Sequence, residues 1–446
     1  MRVIVIGAGD VGRHIATTLS AERHDVTIVD QDAERVEALR NELDALVVAG
    51  NGASPKVLAD LGAAEADLVC GVTQSDEANI IAALAGHQIG AKRTVARVRD
   101  ADYFGGDESY ATHVLGIDFV VHPERATAED LAEAIILPGA VHAEHFGDGR
   151  ISIAESILTS RSPLVGRQLG ERRMVRPNFI FGLIRDGRAV AAEPFHVLKR
   201  GDHVLVAAAR EHIGEVVGHL AGRMPTGRDV IVFGAGRIGL PLSRRLEGQH
   251  GVRVTVMESN PDRARFAAER LARGNVVLEE GVEKDVLLAH GVDRARAFVA
   301  CAGDDRANLL AAMHAKQLGA DLCLAVVSRE EFTPLVDALG IDAAFSPRLV
   351  TAEAILRSVR GGNVRAMYLL LGGAEVLEVQ AEPGCRAEGR TVKDAGKRAH
   401  TRVAALVRDG KVIIPHGEER VQGGDRMVIF NAIRGVADVG STFGAS

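Results

Sequence analysis

Short apolar runs bounded by glycine alternate with amphipathic stretches from the first residues of the chain onward. Val3–Gly7 (VIVIG) reads as a buried strand and Val11–Leu19 as a helix; Val26–Asp30 is a second strand and Ala33–Asn41 a second helix. The run continues through a strand at Val47–Gly50, a helix at Pro55–Leu61, a strand at Asp67–Val72 and a helix at Asn79–Ile89. Strands at Thr94–Val98 and Phe119–His122 close it. Strands that are apolar throughout, each followed by a helix, predict a parallel doubly wound sheet with helices on both faces. A different pattern follows: FIFGLIRDGRAV alternates at period two around Asp186–Gly187, and RVAALVRDGKVII does so around Asp409–Gly410. Both predict hairpins with an Asp-Gly turn in small α+β units, each leading to a Gly-Asp turn and a further strand.

The whole arrangement occurs twice. GAGDVG at Gly7–Gly12 recurs as GAGRIG at Gly234–Gly239, and Asp30 recurs as Glu258. TQSDEAN at Thr73–Asn79 recurs as AGDDRAN at Ala302–Asn308. LIRDG at Leu183–Gly187 and GDHVLV at Gly201–Val206 recur as LVRDG at Leu406–Gly410 and GDRMVI at Gly424–Ile429. Internal repeats of this length outweigh single motifs. The expected organisation is a Rossmann-like domain at 1–141, a small α+β domain at 142–224, a second Rossmann-like domain at 228–360 and a second small domain at 363–446. Breaks are expected near His142, in Gly222–Arg228 and at Gly361–Asn363, where glycine and proline gather.

Composition narrows the classes. The chain has 446 residues, 47% hydrophobic and 25% charged, enough for several cores without cross-links. A net charge of −7 with no basic tract disfavours nucleic acid. Aromatics at 4% with no Trp disfavour aromatic-lined sugar or methylammonium sites. No run reaches the roughly 20 apolar residues that cross a bilayer, and the N-terminus enters a strand directly rather than through a leader. Cys70, Cys301, Cys323 and Cys385 have no metal-like spacing and read as buried small hydrophobes in a reducing cytosol.

The candidate chemistry lies at the glycine loops. GxGxxG alone is weak, but here it leaves a strand, opens a helix and is followed by an acid 18 residues past Gly12. Gly7 permits the turn, Gly9 lets a pyrophosphate approach the backbone, and Gly12 lets helix and strand pack closely. Ala8, Asp10 and Val11 complete a loop whose N–H groups and helix dipole hold an anion. Asp30 can accept both ribose hydroxyls and repels a 2′-phosphate, which favours NAD(H). Gly50 and Asn51 after the third strand, Thr73 and Gln74 after the fourth, and Arg97 in the fifth are expected to line the adenosine and phosphates. Plainer roles stand beside these: Asn51 as a turn residue, Ser75 as a helix N-cap, Arg97 as a solvated charge. The second half keeps Gly234, Ala235, Gly236, Ile238, Gly239 and Glu258, but places Arg237 where the first has Asp10. It also places Glu279–Glu280 against Gly50–Asn51, Ala302 against Thr73 and Val326 against Arg97. The second site is therefore expected to differ, taking ATP, ADP or NAD(H), or binding weakly.

A dehydrogenase needs a substrate pocket with a proton-transferring group facing the nicotinamide. Each Rossmann-like unit here is followed by a small domain without a motif of that kind, and His122, His142 and His145 read as surface or satisfied histidines. Duplicated binding units without catalytic machinery indicate a sensor rather than an enzyme.

The order GAGDVG, VD, VVAGNG, LVCGVTQSDEAN, ARVRDADY, followed by a small domain and then the full set again, resembles the TrkA family of tandem RCK (or KTN) regulatory subunits. The resemblance implies a cytoplasmic protein, peripherally attached to the inner face of the membrane, that forms a tetrameric gating ring beneath a K+-translocating subunit of the TrkH or TrkG type. It implies gating by NAD(H), ATP or ADP, with contacts falling on Gly7–Val11, Asp30, Thr73–Gln74 and Arg97, and on Gly234–Ile238 and Glu258. The acidic Glu279–Glu280 departs from the family pattern. Two other readings stay open: an NAD-dependent oxidoreductase, and a soluble NAD(H) redox sensor with a non-membrane partner.

Overall fold

The computed structural model describes residues 1–446 except 22, 101–102, 104–113, 138, 141, 159–161, 171–178, 186–187, 223–226, 280–281, 330–331, 360–363, 370–373, 399–400, 416, 433–435 and 445–446. The Asp186–Gly187 turn and most of the two later breaks lie outside the described residues, whereas His142 opens a strand.

The first sheet is built from β1 (Arg2–Ile6), β2 (Asp25–Asp30), β3 (Leu46–Ala49), β4 (Leu68–Gly71), β5 (Thr94–Arg97) and β6 (Phe119–Val121). Their order is β3-β2-β1-β4-β5-β6 and the pairs are parallel. Helices α1 (Asp10–Ala21), α2 (Ala33–Arg40), α3 (Pro55–Asp60), α4 (Asp76–Ile89) and α5 (Pro123–Ile136) go with it. The winding reverses between β1 and β4, which leaves a crevice at their C-terminal ends. Residues Val3–Val5 and Leu68–Cys70 are fully buried, as continuous apolar strands between helix layers must be. Helix α4 begins earlier than the periodicity suggests, because Ser75 caps it by accepting the Ala78 N–H at 3.1 Å.

A five-stranded antiparallel sheet follows, formed by β7 (His142–Phe146), β8 (Ile151–Ile157), β9 (Phe179–Arg185), β10 (Arg188–Ala191) and β11 (His203–Ala209) in the order β10-β9-β11-β8-β7. Helix α6 (Ile213–Ala221) covers it: Ile213, Val216, Val217 and Leu220 join Ala154, Val204, Val206 and Ala208 in one core. The second large sheet comprises β12 (Asp229–Phe233), β13 (Arg253–Glu258), β14 (Asn275–Leu278), β15 (Ala297–Ala300), β16 (Leu322–Val326) and β17 (Ala343–Phe345), in the order β14-β13-β12-β15-β16-β17. Helices α7 (Gly239–Glu247), α8 (Pro261–Ala268), α9 (Lys284–Ala289), α10 (Asp305–Leu318), α11 (Thr333–Ala338) and α12 (Pro347–Val359) accompany it in sequence. The last sheet has β18 (Val364–Leu369), β19 (Glu375–Gln380), β20 (Thr401–Arg408), β21 (Lys411–Ile413) and β22 (Arg426–Asn431), with α13 (Val392–Arg398) and α14 (Val436–Phe443). Its order, β18-β19-β22-β20-β21, repeats that of the first small sheet strand for strand.

The expected hairpin at Asp409–Gly410 is present: both residues have positive φ, 48° and 74°, as a type I′ turn demands. The Gly-Asp turns are anchored alike. Asp202 accepts two bonds from Arg185 at 2.7 and 2.6 Å, and Asp425 accepts two from Arg408 at 2.8 and 2.7 Å.

The described residues form two compact units. One contains 1–128, 327–330 and 345–360; the other contains 129–326, 331–344 and 361–446. The division does not follow the sequence repeat: the first unit takes 345–360, with α12, from the second half, and the second unit takes the first half from residue 129 on, including the C-terminal part of α5 and the first small sheet. In the first unit, α12 packs on α1 and β6. In the second, Arg245 of α7 pairs with Glu129 and Glu133 of α5 at 3.1 and 3.8 Å, and Arg296 Nη2 donates to the Ile135 carbonyl at 2.6 Å. Within the second unit the two small sheets share a core. Phe146, Ile153, Phe181 and Leu205 of one meet Val376, Ala405, Val428 and Phe430 of the other, with the Phe181 and Phe430 rings 5.4 Å apart. Charges bridge this seam: Glu378 accepts the Gly147 N–H at 2.9 Å, Arg426 reaches Asp148 and Glu378, and Arg402 pairs with Glu193 at 2.7 Å.

Candidate functional site

Strand β1 delivers the chain to a sharp corner at Gly7, whose φ of +109° is open to glycine at little cost. The Gly7 N–H donates to the Val29 carbonyl at 2.8 Å, which ties the corner to β2. Gly12 sits against that corner: a Cβ there would lie 1.8 Å from the Gly7 carbonyl oxygen. Gly9 is different. A Cβ on it would meet nothing within 4 Å, so nothing in the chain's own packing requires glycine there. Open backbone at the start of α1 is what an approaching pyrophosphate needs, and the residues present fit such a group. Ala8 and Val11 are buried beneath the loop.

Asp30, at the end of β2, faces the same loop. Its carboxylate accepts the Ala8 N–H at 2.7 Å, the Asp32 N–H at 2.9 Å and Arg35 Nη1 at 3.1 Å. Burial alone would raise its pKa; the Asp32 and Ala8 N–H groups and then Arg35 outweigh this and hold it below the ordinary carboxylate range. A depressed folded pKa means that its contribution to stability is present above the unfolded value and is lost as pH falls through the folded one. The side chain keeps 12% of its surface exposed, and a carboxylate has about four lone-pair sites, so capacity for a ribose hydroxyl remains.

The expected lining residues gather at the same edge of the sheet. Asn51 forms a turn by accepting the Ala53 N–H at 3.0 Å, and the Gln74 carbonyl accepts from Arg99 Nη2 at 2.5 Å. Arg97 ends β5 half-buried, its pKa pulled down by burial although Glu124 and Asp76 act against that. Thr73 is held by a residue that pattern reading passed over as part of the repeat. Asn79, fully buried, accepts the Thr73 N–H and hydroxyl, each at 2.7 Å, and donates to the Thr73 carbonyl at 3.1 Å and the Arg97 carbonyl at 2.8 Å. It thereby fixes the β4–α4 loop to the end of β5. Asn308 does the same in the other half, with Ala302 N–H at 2.8 Å and the Ala302 and Val326 carbonyls at 3.0 and 2.9 Å. Its recurrence at one place in both repeats was the signal. Asn79→Ala takes this partner from a part-buried N–H and two part-buried carbonyls, and is expected to cost about 1–2 kcal/mol of stability, read from the urea midpoint.

The second corner copies the first. Gly234 has φ +105°, a Cβ on Gly239 would lie 1.8 Å from the Gly234 carbonyl oxygen, and one on Gly236 would meet nothing. Ala235 and Ile238 are buried, Arg237 is exposed, and Cys301 lies beneath the loop with Sγ 3.6 Å from the Gly234 carbonyl. Burial pushes the Cys301 thiol up to about 12, so it stays a protonated, packed side chain. The acid is held by equivalent groups but is more enclosed than Asp30. Glu258 is 3% exposed and accepts Ala235 N–H, Asn260 N–H and Arg263 Nη2, all at 2.8 Å. Glu279 is engaged by His290 at 3.2 Å; Glu280 lies outside the described residues.

The remaining candidates are spoken for. His122 bonds to the Val98 carbonyl at 2.8 Å, His145 to Ser152 at 2.9 Å, and His142 lies 3.7 Å from Glu144. The four cysteines are buried, as expected. Among the described residues no helix is long and apolar enough to cross a membrane. One functional candidate came only from the fold: Arg348, at the start of α12, forms an ion pair with Asp10 in the first loop.

A model of the TrkA-N domain matches residues 3–123 and 230–347, and one of the TrkA-C domain matches 376–444. The chain is 33% identical to the Trk system potassium uptake protein TrkA of Azorhizobium caulinodans over 438 residues, 96% of each chain. It is 31% identical to that of Haemophilus influenzae, covering 96% of this chain and 95% of the other. Among solved structures it resembles the GsuK RCK domain, with a TM-score of 0.63, 20% identity and coverage of 96% and 92% of the two chains. It also resembles a GsuK channel bound to NAD, with a TM-score of 0.63, 19% identity and coverage of 99% of this chain and 78% of the other.

Proposed function

The chain belongs to the TrkA family, and from that premise we propose that it is a nucleotide-sensing regulatory subunit that gates a membrane K+-translocating partner. The observation that carries this reading is the duplicated glycine corner: two loops with the same close approach at Gly12 and Gly239, and the same open position at Gly9 and Gly236. The relatives' naming as potassium uptake proteins supports transport regulation over an oxidoreductase.

The first corner takes NAD(H), with the Gly7–Gly12 backbone on the pyrophosphate and Asp30 on the adenosine ribose. Gly50, Asn51, Thr73, Gln74 and Arg97 form the surrounding edge. The second corner takes ATP, ADP or NAD(H). Glu258 accepts the equivalents of Asp30's three bonds but is more enclosed, 3% exposed against 12%, while Arg237 brings a cation to the loop. That combination favours terminal phosphates over a ribose clamp.

The serial division into 1–141, 142–224, 228–360 and 363–446 is the proposed domain plan. Four such chains form a ring on the inner face of the membrane under a TrkH- or TrkG-type subunit. A nucleotide shifts a two-state ring only through its different affinity for the two states. A tenfold difference is worth about 1.4 kcal/mol per site, and the sites on one ring add. Asp30→Ala is expected to weaken NADH binding to the full chain about tenfold and to blunt nucleotide control of K+ uptake. Unchanged affinity and unchanged control would refute the assignment, as would turnover of NADH with a substrate.

A further inference from the structure

The first phosphate loop carries an acid where an anion is to bind. Asp10 is the first residue of α1, where its carboxylate is favoured by the same N–H groups and dipole that a phosphate would use. Left alone, it would compete with any phosphate. It is not alone: Arg348 of α12 pairs with it, and both side chains keep access to solvent, 34% for Arg348 and 46% for Asp10. α12 follows the second large sheet in sequence yet packs on α1 and β6 of the first unit.

The sequence repeat shows where these charges come from. His122–Thr127 (HPERAT) corresponds to Ser346–Thr351 (SPRLVT), and both helices open alike. Thr127 donates to the Pro123 carbonyl at 2.8 Å and Thr351 to the Pro347 carbonyl at 2.6 Å. Asp10 thus corresponds to Arg237, and Arg348 to Glu124. The first half thus carries acids at both positions, Asp10 and Glu124, and the second carries cations at both, Arg237 and Arg348, so only a helix taken from the second half can bring a cation to Asp10.

We propose that Arg348 is the diphosphate clamp of the first corner, a ligand-binding residue donated by the other half of the chain. Its guanidinium neutralises Asp10 in the free state and accepts the phosphates of a dinucleotide or nucleoside diphosphate as a second partner when one arrives. A planar, bidentate cation suits both carboxylate and phosphate. This rests on the nucleotide reading of the corner, and it makes α12 the element that feels occupancy.

The test uses the full chain with Gly236→Val closing the second corner, and titrates NADH, ADP and adenosine. Arg348→Ala is expected to weaken NADH and ADP about tenfold while leaving adenosine unchanged; Arg348→Lys loses about threefold. Asp10→Asn is expected to strengthen ADP about threefold by removing the competitor. Undiminished ADP affinity in Arg348→Ala, or a parallel loss of adenosine that marks general damage to the helix packing, overturns the clamp. If Arg348→Ala does not fold, Asp10→Asn decides: no gain in ADP affinity overturns it. Failure of all three ligands to bind the chain before Arg348 or Asp10 is altered would instead overturn the nucleotide reading itself.

Discussion

Gly9→Val and Gly12→Val are expected to part company. A side chain on Gly9 enters open space, so the Gly9→Val chain should melt where the unaltered chain does, yet it blocks the approach of a pyrophosphate to the start of α1. Nucleotide affinity at the first corner should fall at least about a hundredfold, about 2.7 kcal/mol. Gly12→Val drives a Cβ to 1.8 Å from the Gly7 carbonyl, so corner and helix must separate. That variant should lose binding and also several degrees of melting temperature. Calorimetric titration of the full chain, with a thermal melt of each variant, reads both effects. Equal melting of the two variants would refute the division of labour between packing glycine and ligand glycine.

The seam between the small sheets should carry the largest stability effect. Phe430 is 1% exposed and meets Phe181 across the seam. Phe430→Ala removes an aromatic ring from a core that both sheets share and is expected to cost about 3–5 kcal/mol. Phe195→Ala, at a site 67% exposed, should stay within about 0.5 kcal/mol. Urea unfolding of both variants checks this, and a small effect at Phe430 would mean that the sheets separate readily.

The two large sheets were legible because their strands are apolar on both faces and each is followed by an amphipathic stretch; helix ends were less so, since α4 starts at Asp76 rather than Asn79. Glycine corners and acids were legible because backbone conformation and close approach restrict residue choice at Gly7 and Gly12. The exchange of α5 and α12 was not legible: an amphipathic helix such as Pro347–Val359 records that one face is covered, not which surface covers it. Arg348 was invisible for the same reason, since its partner Asp10 lies at the opposite end of the chain. Asn79 was hidden differently. A buried amide reads as one more polar residue until the carbonyl of Arg97 is seen beside it. The seam between the small sheets was equally silent, because period-two alternation in FIFGLIR marks two faces without naming a neighbour for either.

The traded helices bear on ancestry. A protein with only one such half would have to borrow the helix covering α1 from a second molecule, so the single-copy forerunner would be an obligate pair. In a chain that carries both copies that helix is internal, and Asp10 meets its cation within the same polypeptide. Severing the chain between its halves would therefore not return two independent proteins, but two fragments each missing a part held by the other.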